Sequence, residues 1–341
     1  MLDYALLQRL CTTNGIAGHE DAVRTLILSE IRPHADRITV DPLGNILAFK
    51  KGREVPQQKL LLSAHMDEVG FIVTHITQDG CLQFAPVGGI NAAAAFARHV
   101  RIGEDAIPGV VCHKPLHLLK ADERKKSPAI EDLLIDIGAE SRADAEQYIS
   151  LGDPIYFESL YENAHGRVIS KALDDRFGCL VLIELLRQPL AYDMYFSFVV
   201  QEEIGLRGAR VAAYTIDPDS AIVVEATTAA DVPYAEEEKQ VCRVGEGAVV
   251  SFMDRSTLYD REYYRLAMDC AREQGVKAQT KTVIAGGNDA GAIHQSRGGV
   301  RTLAVSLPCR YIHSCDSLAS TEDMESVYTV VKATAERILR R

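Results

Sequence analysis

The alternation of helical and strand-like segments in this chain breaks off near Phe71 and returns after Gly166, and that interruption limits the folds open to it. Before the break, apolar periodicity predicts helices over residues 3–13 and 20–31, the second stopped by Pro33. Residues 37–40 and 45–49 flank the turn Asp41-Pro-Leu-Gly44 and read as a hairpin. Residues 59–64 form a short buried strand. Within the break, short strand-like runs are separated by turn signals at Gln78-Asp-Gly80, Gly88-Gly89 and Ile107-Pro-Gly109. A charged, loop-like tract at 120–126, a strand-like run at 130–137 and a short helix at 141–150 complete it. After Gly166 the pattern predicts helices at 176–188, 208–214, 256–274 and 321–339, and strands at 195–200, 220–224 and 302–307. The expected architecture is therefore one α/β domain built from residues 1–70 and 166–341, interrupted by a β-rich insertion at 71–165.

A chain of 341 residues can bury a sizeable core. The net charge of −11, with no dominant basic patch, argues against a nucleic-acid partner. Asp3 and Arg9 make the first ten residues an amphipathic helix, not an export signal, and no apolar stretch reaches the roughly 20 residues of a membrane span. Eight cysteines without a Cys-x-x-Cys pair suggest reduced thiols and a cytoplasmic setting.

Ligands of α/β folds gather beyond the carboxyl ends of strands. At those ends this chain places His65-Met-Asp67, Glu202-Glu203, Glu225, and a segment leading to His313; Asp174-Asp175 precede the helix at 176. Singly, each has an ordinary explanation. Paired glutamates suit a solvated turn near Gly205 and Gly208, aspartates cap helices, and a loop histidine bonds to backbone. Their recurrence at every strand end favours a site. Imidazole and carboxylate donors without cysteine suit Zn²⁺, Co²⁺ or Mn²⁺. The donors exceed the needs of one tetrahedral ion and suit two metals with a bridging carboxylate and a shared water. His65 and Asp67, two apart, point the same way in extended chain, so Asp67 is expected to orient the ligand histidine. Cys309 and Cys315 flank His313 as weaker candidates, and the remaining histidines read as structural. The glycine-rich Gly286-Gly-Asn-Asp-Ala-Gly291 lacks the Lys-Ser/Thr of a P-loop and reads as a turn near the pocket.

The motifs Ser63-Ala-His-Met-Asp-Glu-Val-Gly-Phe71, Lys171-Ala-Leu-Asp-Asp-Arg176, Val200-Gln-Glu-Glu-Ile-Gly-Leu-Arg-Gly-Ala209, Gly286-Gly-Asn-Asp-Ala290 and Arg310-Tyr-Ile-His-Ser314 resemble metallopeptidase family 42. These are the tetrahedral aminopeptidases, also labelled glutamyl or leucyl aminopeptidases or endoglucanase M. The resemblance implies a mixed-sheet α/β/α catalytic domain of the dinuclear aminopeptidase type. It implies that the insertion is a small, barrel-like dimerisation domain, with dimers assembling into a tetrahedral dodecamer. It further implies two zinc or cobalt ions per subunit, manganese being possible: one on His65 and Glu225, the other on Glu203 and His313, with Asp174 bridging. Glu202 would be the general base, Asp67 would orient His65, and the Asp174–Asp175 peptide would be cis. Three positions depart from the family pattern: Glu225 replaces Asp, Asn288 replaces Thr, and Ser314-Cys315-Asp316 replaces a Pro and Glu segment.

The expected activity is release of N-terminal amino acids from peptides, Glu202 taking a proton from the attacking water and returning it to the leaving amine. A dinuclear amidase acting on small N-acyl compounds would use the same residues. A glycosidase would leave the two histidines unexplained and has no Trp for sugar stacking. A non-catalytic oligomeric scaffold would not need an intact ligand set. An acidic-side-chain preference would need a cation in the pocket, for which Arg255 and Arg310 are the candidates.

Overall fold

The structure is a computed structural model that describes residues 2–121 and 123–340. Asp122, inside the charged tract at 120–126, lies outside the described residues. An eight-stranded mixed sheet runs in the order Arg37–Val40, Ile46–Lys50, Met194–Val199, Leu60–His65, Ser220–Thr228, Arg301–Cys309, Ala248–Val250 and Ala278–Thr280. Four of these, Met194–Val199, Leu60–His65, Ser220–Thr228 and Arg301–Cys309, are mutually parallel neighbours at its centre. Their near-continuous apolar sequences follow from burial on both faces. Helices Tyr4–Thr12, Asp21–Ile31, Leu173–Arg187, Arg261–Gln274 and Thr321–Leu339 share one core with the sheet. Arg207–Ile216 and Ala290–Ile293 pack in a second core on the sheet's other face.

Between Gly70 and Phe157 the chain closes a separate barrel from strands Gly70–Ile76, Leu82–Val87, Leu134–Asp136, Ile107–Cys112, His99–Ile102 and Pro154–Phe157. Closure removes the unpaired edges that short antiparallel strands would otherwise expose. The barrel has its own core, centred on Phe71, whose ring meets Phe84 and Phe157 edge-on at 4.7 and 5.3 Å. Strand Glu162–Ala164 does not join it. That strand pairs with Arg167–Ser170, which pairs with Ser317–Ser320.

Several elements differ from their sequence-based expectations for local reasons. The run at 130–137 divides into a 3₁₀ turn, Ile130–Asp132, and a three-residue strand, Leu134–Asp136. The helix expected at 141–150 is the single turn Arg142–Ala145. The helix expected from 256 begins at Arg261, because the Asp260 carboxylate caps it by accepting from the Glu262 and Tyr263 amides. The strand expected at 220–224 continues to Thr228, so Glu225 lies within it. Strands Ala248–Val250, Ala278–Thr280 and Ser317–Ser320 are too short to announce themselves by alternation.

Candidate metal centre

The four parallel strands bring His65, Glu202-Glu203, Glu225 and His313 together at the carboxyl-terminal end of the sheet's centre. His65 ends its own strand, and Val223 pairs with Ser63, which sets Glu225 beside it. The turn after Met194–Val199 is fixed by side chains. Asn45 Oδ1 accepts from the Val200 amide at 2.9 Å, and its Nδ2 donates to the Gly208 carbonyl at 3.1 Å. A Cβ at Gly208 would lie 2.3 Å from the Val200 oxygen, so only glycine fits this neck. The Asp67 carboxylate accepts from the Glu202 and Glu203 amides at 3.0 and 3.1 Å. The paired glutamates are thereby presented on a rigid turn.

Asp174 and Asp175 precede regular helix, with non-helical backbone and a cis peptide between them. They divide two tasks. Asp175 caps the helix, accepting from the Gly178 amide at 2.9 Å, and also accepts from the His65 amide at 3.3 Å. Asp174 faces the cleft. The next residue, Arg176, is fully buried and donates to the carbonyls of Leu10, Thr13 and Met66 at 2.5, 2.8 and 2.7 Å. It ties the helix start to the segment following His65.

The two histidines approach Asp174 from opposite sides. His65 Nε2 is 3.3 Å from Asp174 Oδ1 and 3.4 Å from Glu225 Oε1. His313 Nε2 is 3.4 Å from Asp174 Oδ2 and 3.4 Å from Glu203 Oε1. Both Nδ1 atoms face backbone carbonyls: Asp67 O at 3.0 Å for His65, Gly89 O at 2.9 Å for His313. A carbonyl only accepts, so in a neutral ring Nδ1 carries the hydrogen and Nε2 turns a lone pair toward carboxylates. Acceptors then face acceptors, an arrangement that a cation between them relieves. Glu225 Oε2 is buried with no hydrogen-bond partner among the described residues. Potential ligand atoms gather, within 4.8 Å of one another, as His65–Asp174–Glu225, Asp174–Glu203–His313 and His65–Glu202–Glu203. The first two groups share Asp174. This donor chemistry fits divalent metal ions.

Without a cation the cluster retains protons. Burial pushes the Glu225 pKa up to about 8 and that of Glu203 up to about 7. Burial opposes charge on His313, but Asp174 and Glu203 outweigh it and raise its pKa to about 9. Burial likewise opposes charge on Asp174, yet His313 and His65 hold its carboxyl well below the usual range. The Glu202 pKa is well raised, by burial first and then by Glu225, Asp289 and Glu203.

The seven residues expected as metal ligands or catalytic groups, His65, Asp67, Asp174, Glu202, Glu203, Glu225 and His313, converge. Asp67 differs in detail from its expected part. Its carbonyl is the nearer partner of His65 Nδ1, the carboxylate standing at 3.5 Å because it is engaged by the glutamate turn. Cys309 and Cys315 join none of the three groups. A cavity of about 300 Å³ opens beside the cluster, lined by His65, Asp174, Glu202, Glu225, His313 and Lys281 among others. Arg255 is exposed, and Arg310 forms a two-pronged ion pair with Asp231 at 2.7 Å, so neither expected cation lines it. Lys281 was hidden in the sequence because the strand it follows, Ala278–Thr280, is only three residues long.

Residues 44–330 match the family model described as M42 glutamyl aminopeptidase. The chain belongs to this family. Among its relatives, a putative aminopeptidase of Acetivibrio thermocellus is 36% identical, over 95% of each chain. The lysyl aminopeptidase of Pyrococcus furiosus is 32% identical, covering 99% of this chain and 98% of its own. The glutamyl aminopeptidase of Lactococcus lactis is also 32% identical, covering 96% and 94%. The fold matches the TET aminopeptidase of a marine-sediment Thaumarchaeota archaeon with a TM-score of 0.93, at 33% identity over 98% of this chain and 96% of the other. It also matches the Pyrococcus horikoshii TET1 peptidase, which can assemble into a tetrahedron or a large octahedral shell: TM-score 0.85, 33% identity, 97% and 98% coverage. Among the described residues of this M42 chain, no helix is long and apolar enough to cross a membrane.

The proton balance gives a signed prediction. Glu203, Glu225 and His313 have folded pKa values of about 7, 8 and 9, above their reference values of 4.5, 4.5 and 6.5. Between roughly pH 4.5 and 9 the metal-free native state therefore holds more protons than the unfolded chain, and its stability falls as pH rises. Metal ligation requires the deprotonated forms. The Tm gain on adding Zn²⁺ or Co²⁺ should widen from pH 6 to pH 9, measured by differential scanning fluorimetry. A gain that shrinks over that range would contradict the assignment.

Proposed function

We propose that this chain, a metal-dependent aminopeptidase of the M42 family, removes N-terminal amino acids from peptides at the cavity beside Asp174, using two divalent ions. The observation that carries this reading is the sharing of Asp174 between two adjacent donor groups, with Glu202 lining the same cavity. His65, Asp174 and Glu225 would hold one ion, and Asp174, Glu203 and His313 the other. Nitrogen and oxygen donors without sulfur suit zinc, cobalt or manganese. Bound there, the ions supply Lewis-acid polarisation of the scissile carbonyl and bring the pKa of water near ~7. Glu202 takes the proton of the attacking water and delivers it to the departing amine. Asp67 holds Glu202 in place through its backbone amide and steadies His65 through its carbonyl. Burial of Glu202 beside other carboxylates favours the protonated form it must reach midway.

The barrel carries self-association. Phe96, Val110 and Leu118 are exposed on it, 41–56% accessible, and the similar TET1 peptidase can assemble into a tetrahedron or a large octahedral shell. Dimers and a tetrahedral dodecamer are the forms this reading anticipates, and light scattering that finds only monomer would remove it.

The catalytic reading is tested with amino-acid p-nitroanilides, N-acyl amino acids and the Glu202→Gln variant. The parent should cleave the anilides, lose activity to chelator and regain it with Zn²⁺ or Co²⁺. The variant should bind metal as the parent does and lose ~10²–10⁴-fold in kcat. Parent-like turnover by the variant would sink the base assignment. Cleavage of N-acyl compounds alone would replace the aminopeptidase by an amidase.

A further inference from the structure

The turn that carries Glu202 and Glu203 is gripped by a second acid besides Asp67. Glu20 stands at the N-cap of helix Asp21–Ile31, a position from which a carboxylate ordinarily accepts from the first amides of its own helix. Its side chain makes no such cap. It turns back instead, and Oε1 accepts from the Gly18 amide at 2.8 Å and from the Gln201 amide, 181 residues on, at 3.1 Å. Glutamate is rarely buried to 3% exposure unless it is paired, and here backbone amides are the partners. The helix thus forgoes a side-chain cap while a buried acid serves a distant turn. The segment leading to Glu20 is itself fixed beside the centre. Ile16 bridges Glu68, one residue beyond Asp67, and the Glu68 amide donates to the Gly15 carbonyl at 3.0 Å.

Gln201 is the residue on which the turn pivots. Its φ is +57°, a left-handed conformation that a residue with a Cβ keeps only where its surroundings impose it. Glu20 holds the Gln201 amide, and the two Asp67 oxygens hold the amides of Glu202 and Glu203. Three consecutive amides are therefore each bound by a carboxylate oxygen. We infer that Glu20 is a positioning residue: by holding Gln201 it sets the direction in which Glu202 enters the cavity. This rests on the aminopeptidase reading, with Glu202 as the base. The described residues that line the cavity include Glu202 and not Glu20, so Glu20 acts through the Gln201 backbone. Burial raises the Glu20 pKa, the Gly18 amide opposing the shift and Asp67 adding to it. Charge is therefore not what this contact uses; it uses the reach of the side chain and an acceptor oxygen.

Two variants separate reach from charge: Glu20→Asp and Glu20→Gln, each made in the parent and in the Glu202→Gln background. They are assayed metal-loaded on the parent's best amino-acid p-nitroanilide. Glu20→Asp keeps the charge and suits an N-cap, but it is one methylene short of Gln201. It should melt no lower than the parent, bind metal as the parent does, and lower kcat roughly 10- to 100-fold with little change in KM. Glu20→Gln keeps the reach and an acceptor, and should recover most of that loss. Added to Glu202→Gln, Glu20→Asp should lower kcat little further, because the group it positions is already gone. A merely structural Glu20 would lose activity in step with Tm and by the same factor in both backgrounds. Parent-like kcat in Glu20→Asp would overturn the inference, as would loss of its fold or its metal. So would a full further loss in the Glu202→Gln background, or no recovery in Glu20→Gln. If Glu202→Gln alone turns over like the parent, the base assignment falls instead, whatever Glu20→Asp does.

Discussion

Repulsion among the buried acids around Asp174 is the constraint on which the rest of this structure depends. Asp174, Glu203 and Glu225 lie with two imidazoles inside a few ångströms, largely out of water. Like charges at such distances cost several kcal/mol even at an effective dielectric of 20. Without metal, burial favours protons on Glu203 and Glu225 while the two imidazoles hold Asp174 ionised. Divalent cations would remove the repulsion and convert it into binding energy. Both histidine Nδ1 atoms are secured by backbone carbonyls, so the fold has committed the Nε2 atoms to face that shared charge.

The surrounding architecture keeps the acids from separating. Parallel strands deliver His65 and Glu225 side by side, and Arg176 ties the Asp174 turn to the carbonyls of Leu10, Thr13 and Met66. Asp67 pins the glutamate turn through two amides. Each restraint comes from a different stretch of chain. The cluster is held by the whole α/β domain, while the barrel contributes the Gly89 carbonyl from the segment just past its strand Leu82–Val87.

Much of this could be read from the sequence because its signals are local and strong. Buried parallel strands are apolar until they stop, so a His or Glu at the stop stands out, and the final helix Thr321–Leu339 matches its expected span of 321–339. Asp174-Asp175 looked like a capping pair, and half of it is: Asp175 caps and Asp174 does not. What escaped were features with no local pattern. A three-residue strand has too few alternations to recognise, so Lys281, one residue beyond it, had nothing to mark it. Arg310 looked available for substrate, but its partner Asp231 lies far away in sequence and only the fold joins them. The carbonyl of Asp67 outcompetes its carboxylate for His65 because the carboxylate is occupied by a turn more than a hundred residues on.

The central claim is that Asp174 is shared between two ion sites. Metal content per chain, measured by inductively coupled plasma mass spectrometry after equilibration with zinc and gel filtration, tests it most directly. The account predicts two ions for the parent chain, one for His313→Ala, which loses a ligand of a single site, and fewer than one for Asp174→Asn, which weakens both. An Asp174→Asn variant that is folded and still holds two ions would contradict it.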